Sequence, residues 1–209
     1  TKRATVSPGL KMALLSKTTR GDAVAAQVVL RMGNLEALKG QSTVGSLLPA
    51  LLDKGSAKLS RQQVQDRLTA LKTELVFSGS GASITATLKS TKQNLPAAIA
   101  LVGELLREPL LEAKALDEVR AQSLAGLQAQ KDEPGAIVSN TLSRHGNPYS
   151  SDDPRYAPTF AEIEQRLKAV TVEQVRQFHR SLVGASQAQF AAVGSFDEAA
   201  VREAVNRAF

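Results

Sequence analysis

The sequence has no cysteine and no tryptophan, only two histidines, and just 4% aromatic residues in 209 positions. Without cysteine there are no disulfides, thiolate metal sites or cysteine nucleophiles. The redox compartment is left open by that absence. With so few aromatics, Leu, Val and Ala must fill the core, which suits helices packed on a sheet better than an aromatic-lined binding surface. No apolar run approaches the roughly 20 residues of a transmembrane helix. There is no signal-peptide pattern and no initiator methionine, since the chain opens Thr1-Lys2-Arg3. The expectation is a piece cut from a longer polypeptide.

What is present is ordinary for a globular domain: 43% hydrophobic and 22% charged residues. The length suits one generous domain over residues 1–209, and no low-complexity segment or linker divides it. The formal charge is +6, but the basic residues are scattered. Lys2, Arg3, Lys11, Lys17 and Arg20 open the chain, and later ones alternate with acids. With no basic run and no interleaved aromatics, this reads as a solvated surface, with neither nucleic acid nor membrane as partner.

Hydrophobic periodicity gives the elements. Ser7-Pro8-Gly9 is turn chemistry before a strand at Leu10–Leu14, and Val24, Ala26, Val28, Leu30 and Met32 mark a second. The two read as an antiparallel pair with one buried face. From Ser42 the period becomes helical through Val44, Leu47, Leu48, Leu51 and Leu52, with Pro49 expected to kink or delay the helix and Gly55 to stop it. Ser60–Gln63 is a capping box opening a short helix. A hairpin follows, Glu74–Ser78 and Ala82–Ser90 about Gly79-Ser80-Gly81. Helices are expected from Leu95 to Pro109, from about Leu116 to Lys131, and from Ile137 to Arg144, then a loop from Gly146 to Pro158. Capping boxes at Thr159 and Thr171 open two more, before a strand at Gln189–Val193 and a helix at Asp197–Ala208. The order is that of an α+β fold: a largely antiparallel sheet with helices packed mainly on one face.

Chemistry is scarce. His145 and His179 are 34 residues apart, and neither has a His or carboxylate at helical spacing to share a metal. His145 reads as a residue at a helix end, His179 as a surface or boundary residue. Gly45-Ser46 lacks the G-x-S-x-G elbow, so a serine triad would have to be assembled in three dimensions from Ser46 or another serine with His145 or His179. Gly79-Ser80-Gly81 joins two strands, as a phosphate loop does not. Asp132-Glu133 and Asp152-Asp153 lie in turns and read as solvated caps and loop residues. Residue chemistry alone assigns no catalytic, cofactor-binding or metal residue.

Several short motifs, in order, carry a resemblance: Pro8-Gly9-Leu10-Lys11-Met12, Met32-Gly33, the helical run Thr43–Ser56, Leu105–Pro109, Asn147-Pro148-Tyr149, the helix opened by Thr171, and Ala192–Asp197. Together they resemble the insulinase/pitrilysin family of zinc peptidases over almost the whole chain. In that family's catalytic domains the third segment carries H-x-x-E-H, whose two His bind zinc and whose Glu polarises the attacking water. The matching places here hold Ser46, Pro49 and Ala50, and the third ligand's place falls near Ala125 or Gly126. No His precedes His145, so no shift of register restores the motif.

The resemblance therefore implies a non-catalytic repeat domain: no cofactor in this chain, zinc in the catalytic domain of a parent metalloendopeptidase, and an isolated chain that is inactive. It also implies partners, namely sister domains of one polypeptide or a catalytic partner subunit, which together enclose a chamber for peptide substrate. Gly79–Gly81, and sheet edges near Val24–Met32 or Ile84–Leu88, are the candidates for holding peptide by strand addition. The alternative is an inert interaction or core subunit of a processing or assembly complex. Residues alone fix no compartment; the family's bacterial members, many of them exported, point to the periplasm.

Overall fold

A computed structural model describes residues 2–7, as backbone, and 9–209. The expected turn at Ser7-Pro8-Gly9 includes Pro8, which lies outside the described residues. Among the described residues, six strands form one sheet: β1 (Lys2–Ser7), β2 (Leu10–Ser16), β3 (Ala23–Arg31), β4 (Glu74–Ser80), β5 (Ser83–Thr91) and β6 (Gln189–Gly194). Their spatial order is β1-β2-β6-β3-β5-β4. Every neighbouring pair is antiparallel except β2 and β6.

Strict alternation makes one face of this sheet the core wall. Leu10, Met12 and Leu14 of β2, Val24, Ala26, Val28 and Leu30 of β3, Ile84, Ala86 and Leu88 of β5, and Phe190 and Ala192 of β6 are all buried. The expected pairing of β2 with β3 is corrected. β6, from the far end of the chain, lies between them, parallel to β2 and antiparallel to β3. Local alternation shows which face a strand buries but not which strand lies beside it. The strand β1, antiparallel to β2, was not expected, since Lys2–Ser7 opens with two basic residues and has only Ala4 and Val6 as apolar positions.

Among the described residues, eight α-helices accompany the sheet: α1 (Ser42–Leu47), α2 (Arg61–Ala70), α3 (Leu95–Arg107), α4 (Ala113–Lys131), α5 (Pro134–Arg144), α6 (Phe160–Ala169), α7 (Val172–Leu182) and α8 (Glu198–Ala208). The helical run expected from Ser42 divides at Leu48, where a 3-10 turn, Leu48–Leu51, places Pro49 in its first turn. A proline there loses no intrahelical hydrogen bond. All three expected capping boxes are present, at Ser60, Thr159 and Thr171. The hairpin turn is shifted: Gly79 and Ser80 belong to β4, and the chain turns at Gly81-Ala82.

α3 packs on α8 and on β5. Leu95, Ile99, Val102 and Leu106 join the main core, whereas Leu101 and Leu105 form a second cluster with Val64 and Leu68 of α2. A helix apolar on two faces is buried on both. Gly103 lets α8 come against α3: a Cβ at that position would stand 2.7 Å from the Cβ of Ala208. No helix among the described residues is long and apolar enough to cross a membrane.

Candidate functional site

The segment of greatest chemical interest is the run from Ser42 to Leu52. α1 packs on α7, and the following 3-10 turn packs on β4 and α4. Val44, Leu47, Leu48, Leu51 and Leu52 anchor the segment in the core, as their spacing predicts. Gly45 permits its close approach to the β4–β5 turn, since a Cβ there would lie 2.7 Å from the Gly81 carbonyl oxygen. The positions of interest thus stand on a rigid, well-packed support.

Their chemistry is nevertheless poor in donors. Ser46 is exposed, and its hydroxyl donates to the Thr43 carbonyl within its own helix at 2.8 Å. Pro49 is buried, with Cγ at 3.1 Å from where a Cβ on Gly79 would sit; Ala50 is exposed. Ala125 and Gly126 are exposed on α4, the helix packed on the 3-10 turn. Among these five residues the only side-chain donor atom is the Ser46 hydroxyl, and a tetrahedral zinc site needs three or four N, S or O ligands. The residues present do not fit a zinc ion. Among the described residues, no group of three or more His, Asp or Glu could hold a metal.

Both histidines make hydrogen bonds within the fold. His179, half-buried on α7, has Nε2 at 2.8 Å from the Leu106 carbonyl oxygen at the end of α3. Burial pushes its pKa below the ordinary value, the Leu106 carbonyl opposes that shift, and Arg180 adds to it. His145 is exposed at the end of α5, where its backbone N–H caps the Thr141 and Leu142 carbonyls. The hydroxyl of Ser46 and the ring of His179 are each engaged with a backbone carbonyl, so they do not form the nucleophile–base pair of a triad.

The acidic pairs also have structural roles. The Glu133 carboxylate accepts from the N–H groups of Gly135 and Ala136 at the start of α5. Asp153 accepts two hydrogen bonds from the Arg155 guanidinium, at 2.9 and 2.8 Å. The Arg155 side chain and backbone hold its carboxyl at about 2. In the same loop Arg155 stacks over Tyr149 at 4.0 Å, and Asn147 donates to the Arg155 carbonyl. Asn147-Pro148-Tyr149 thereby belongs to a self-bracing loop, tied to the turn before α1 by Gly40 donating to the Asp152 carbonyl.

Other short motifs meet each other in space. The Ser56 hydroxyl donates to Glu104 at 2.5 Å, and Gly55–Ala57 exchanges backbone hydrogen bonds with Glu108 and Leu110 around Pro109. Gly194, at φ 132°, lies so close to β3 that a Cβ would be 2.3 Å from the Ala23 carbonyl oxygen. Asp197 caps α8 by accepting from Ala200.

The proposed strand-addition edges need correction. β3 lies between β6 and β5, and β5 between β3 and β4, so neither Val24–Met32 nor Ile84–Leu88 has a free edge. The outer strands are β1 and β4, and Gly79 lies on β4. A further surface went unrecognised in the sequence. The outward side of β2 and β6 carries Ala13, Leu15, Ala191 and Val193, although the other face of the same strands is the core wall. The sign was available in Leu10-Lys11-Met12-Ala13-Leu14-Leu15 and Phe190-Ala191-Ala192-Val193, which are apolar at both parities.

Residues 12–153 match the family model of insulinase, peptidase family M16. None of the curated proteins matches the chain in sequence. Among solved structures, the chain is similar to a peptidase M16 inactive domain from Pseudomonas fluorescens, at 18% identity and a TM-score of 0.80, over 99% of this chain and 49% of that one. It is also similar to a protease from Helicobacter pylori, at 17% identity and 0.82, over 100% and 49%. A third is the periplasmic protease PqqL from Escherichia coli, at 14% identity and 0.78, over 99% and 24%. The chain spans about half the length of the first two and about a quarter of the third. With the family model matched over most of its length, the chain belongs to the insulinase family of M16 peptidases.

Proposed function

We propose that this chain is a non-catalytic domain of an insulinase-type zinc peptidase, forming part of a peptide-enclosing chamber and packing on the catalytic half. The observation that carries the reading is the donor-poor set Ser46, Pro49 and Ala50, with Ala125 and Gly126 on the adjacent helix, inside a fold of this family. In this reading Ser46, Pro49 and Ala50 replace the His, Glu and His of the zinc motif. No catalytic, cofactor or metal residue is then assigned to residues 1–209, which form one domain. The zinc belongs to the catalytic half of the parent protein.

The lengths of the similar structures support a sister domain, since this chain covers about half of two of them. Peptide would meet this domain at the β4 edge, the outer strand against which the 3-10 turn packs. The description of PqqL as periplasmic supports that compartment.

The test is to mix the chain with its catalytic half and follow hydrolysis of an unstructured peptide. Hydrolysis should need both halves, and metal analysis should find stoichiometric zinc only in the catalytic one. One tightly held zinc in this chain, or peptide hydrolysis by this chain alone, would refute the proposal.

A further inference from the structure

The start of α1, the loop before α6 and the helices α6 and α7 meet around a polar hollow. Ser42 and Thr43 of α1, Asp152 of the loop, Arg166 of α6 and Gln174 of α7 line it. Its volume is about 310 Å³, at the small end of ligand-sized pockets. The walls are braced by hydrogen bonds. Gly40 donates to the Asp152 carbonyl at 2.7 Å, and Arg166 Nη2 donates to the Ser151 carbonyl at 2.8 Å. Arg120 reaches across from α4 to the Leu167 and Val170 carbonyls at the end of α6. Buried Val44 and Val170 give the hollow one apolar side.

Two opposite charges line this space without pairing with each other. A guanidinium carries five N–H donors, yet in Arg166 only Nη2 has a hydrogen-bond partner among the described residues. The flat group is held in place over the Tyr156 ring, 5.4 Å from its centroid. Asp152 accepts from the Ser150 hydroxyl at 2.5 Å, and that bond, with one from its own backbone, holds its carboxyl below the ordinary value. Lys39, the other cation near Asp152, pairs instead with Glu36 at 2.8 Å. The hydroxyls of Ser42 and Thr43 and the side-chain nitrogen of Gln174 donate to nothing among the described residues. We propose that the hollow binds a small zwitterion, an amino acid or a short peptide, with its carboxylate on Arg166 and its ammonium on Asp152. Ser42, Thr43 and Gln174 supply further donors to the carboxylate, and a small aliphatic side chain rests on Val44 and Val170. A ligand of one sign fits less well, because an anion would face Asp152 and a cation would face Arg166.

The test titrates the chain with L-alanine and with L-alanyl-L-alanine, read by amide NMR shifts. Each probe is compared with its N-acetylated form, which lacks the ammonium, and its amidated form, which lacks the carboxylate. At least one zwitterion should saturate shifts at Thr43, Asp152 and Gln174 below about 10 mM. Its acetylated and amidated forms should each bind roughly tenfold or more weakly. Tighter binding of alanine names a free amino acid as the ligand, and tighter binding of the dipeptide names a short peptide. Arg166→Gln should remove the penalty for amidation alone, and Asp152→Asn the penalty for acetylation alone. A merely structural role for either residue would weaken all the probes alike. If a variant does not fold, the comparison of probes on the unaltered chain decides. No saturation by either zwitterion, or an acetylated form that binds as tightly as its parent, overturns the proposal. Either result leaves the chamber reading untouched, since that reading makes no use of this hollow.

Discussion

His179 and Ser46 each place a reactive atom against a backbone carbonyl of the fold. At His179 the contact has a consequence for pH. Burial lowers its pKa from the ordinary 6.5, so the unfolded chain takes up a proton before the folded one does. The stabilisation is complete above about pH 6.5 and is lost as pH falls through the lower, folded value. Glu164 and Asp153 are both held at about 2, the first by Lys131 and Lys168, the second by Arg155. Their stabilisation persists down to the ordinary carboxylate range near pH 4 and fades below it, beneath the histidine window. The urea midpoint is therefore expected to fall between pH 7 and pH 5, and His179→Gln to flatten that part of the profile. An unchanged profile in the variant would show that the dependence comes from other groups.

At the scale of elements, the helix starts were the most legible part of the chain. The signatures at Ser60, Thr159 and Thr171 each became a reciprocal capping box because two hydrogen bonds within four residues need nothing from the rest of the fold. At α6 the Thr159 hydroxyl accepts from the Glu162 N–H at 3.1 Å, Glu162 accepts from the Thr159 N–H at 2.7 Å, and the Tyr156 hydroxyl donates to Glu162 at 3.0 Å. Thr159→Ala should cost about 1 kcal/mol, read as a lower urea midpoint with an unchanged m-value. Thr159→Ser keeps the acceptor and should retain most of the stability. Loss of equal size in both variants would show that packing of the threonine methyl is responsible instead. The interrupted helix at Pro49 was legible for a similar local reason: the ring fixes φ and removes a donor wherever it stands. The β4–β5 turn was misplaced because Gly79, Ser80 and Gly81 all favour a turn. Which of them turns was decided by the register of the strands and by packing, with Gly79 close to Pro49 and Gly81 close to Gly45.

Across the whole molecule, stability should be graded from the middle of the sheet outward. β3, β5 and β6 are each paired on both sides and contribute buried residues to the main core, whereas α5 has no buried residue. Hydrogen exchange of the isolated chain should be slowest in those strands and in α3, and fast in α5. Protection of α5 equal to that of α3 would mean that its apolar side is already covered in the isolated chain. Most elements and the family were accessible from the sequence because they rest on local periodicity, capping and ordered short motifs. So was the poverty of donors at Ser46, Pro49 and Ala50, since side-chain chemistry does not depend on the fold. Neighbour relations were not accessible: that β6 separates β2 from β3, that β3 and β5 have no free edge, and that Ala13, Ala25 and Ala191 share one open hollow. Alternation of side chains assigns a residue to a face with a period of two, but only long-range pairing of backbones decides which faces adjoin, and that information lies in no single segment.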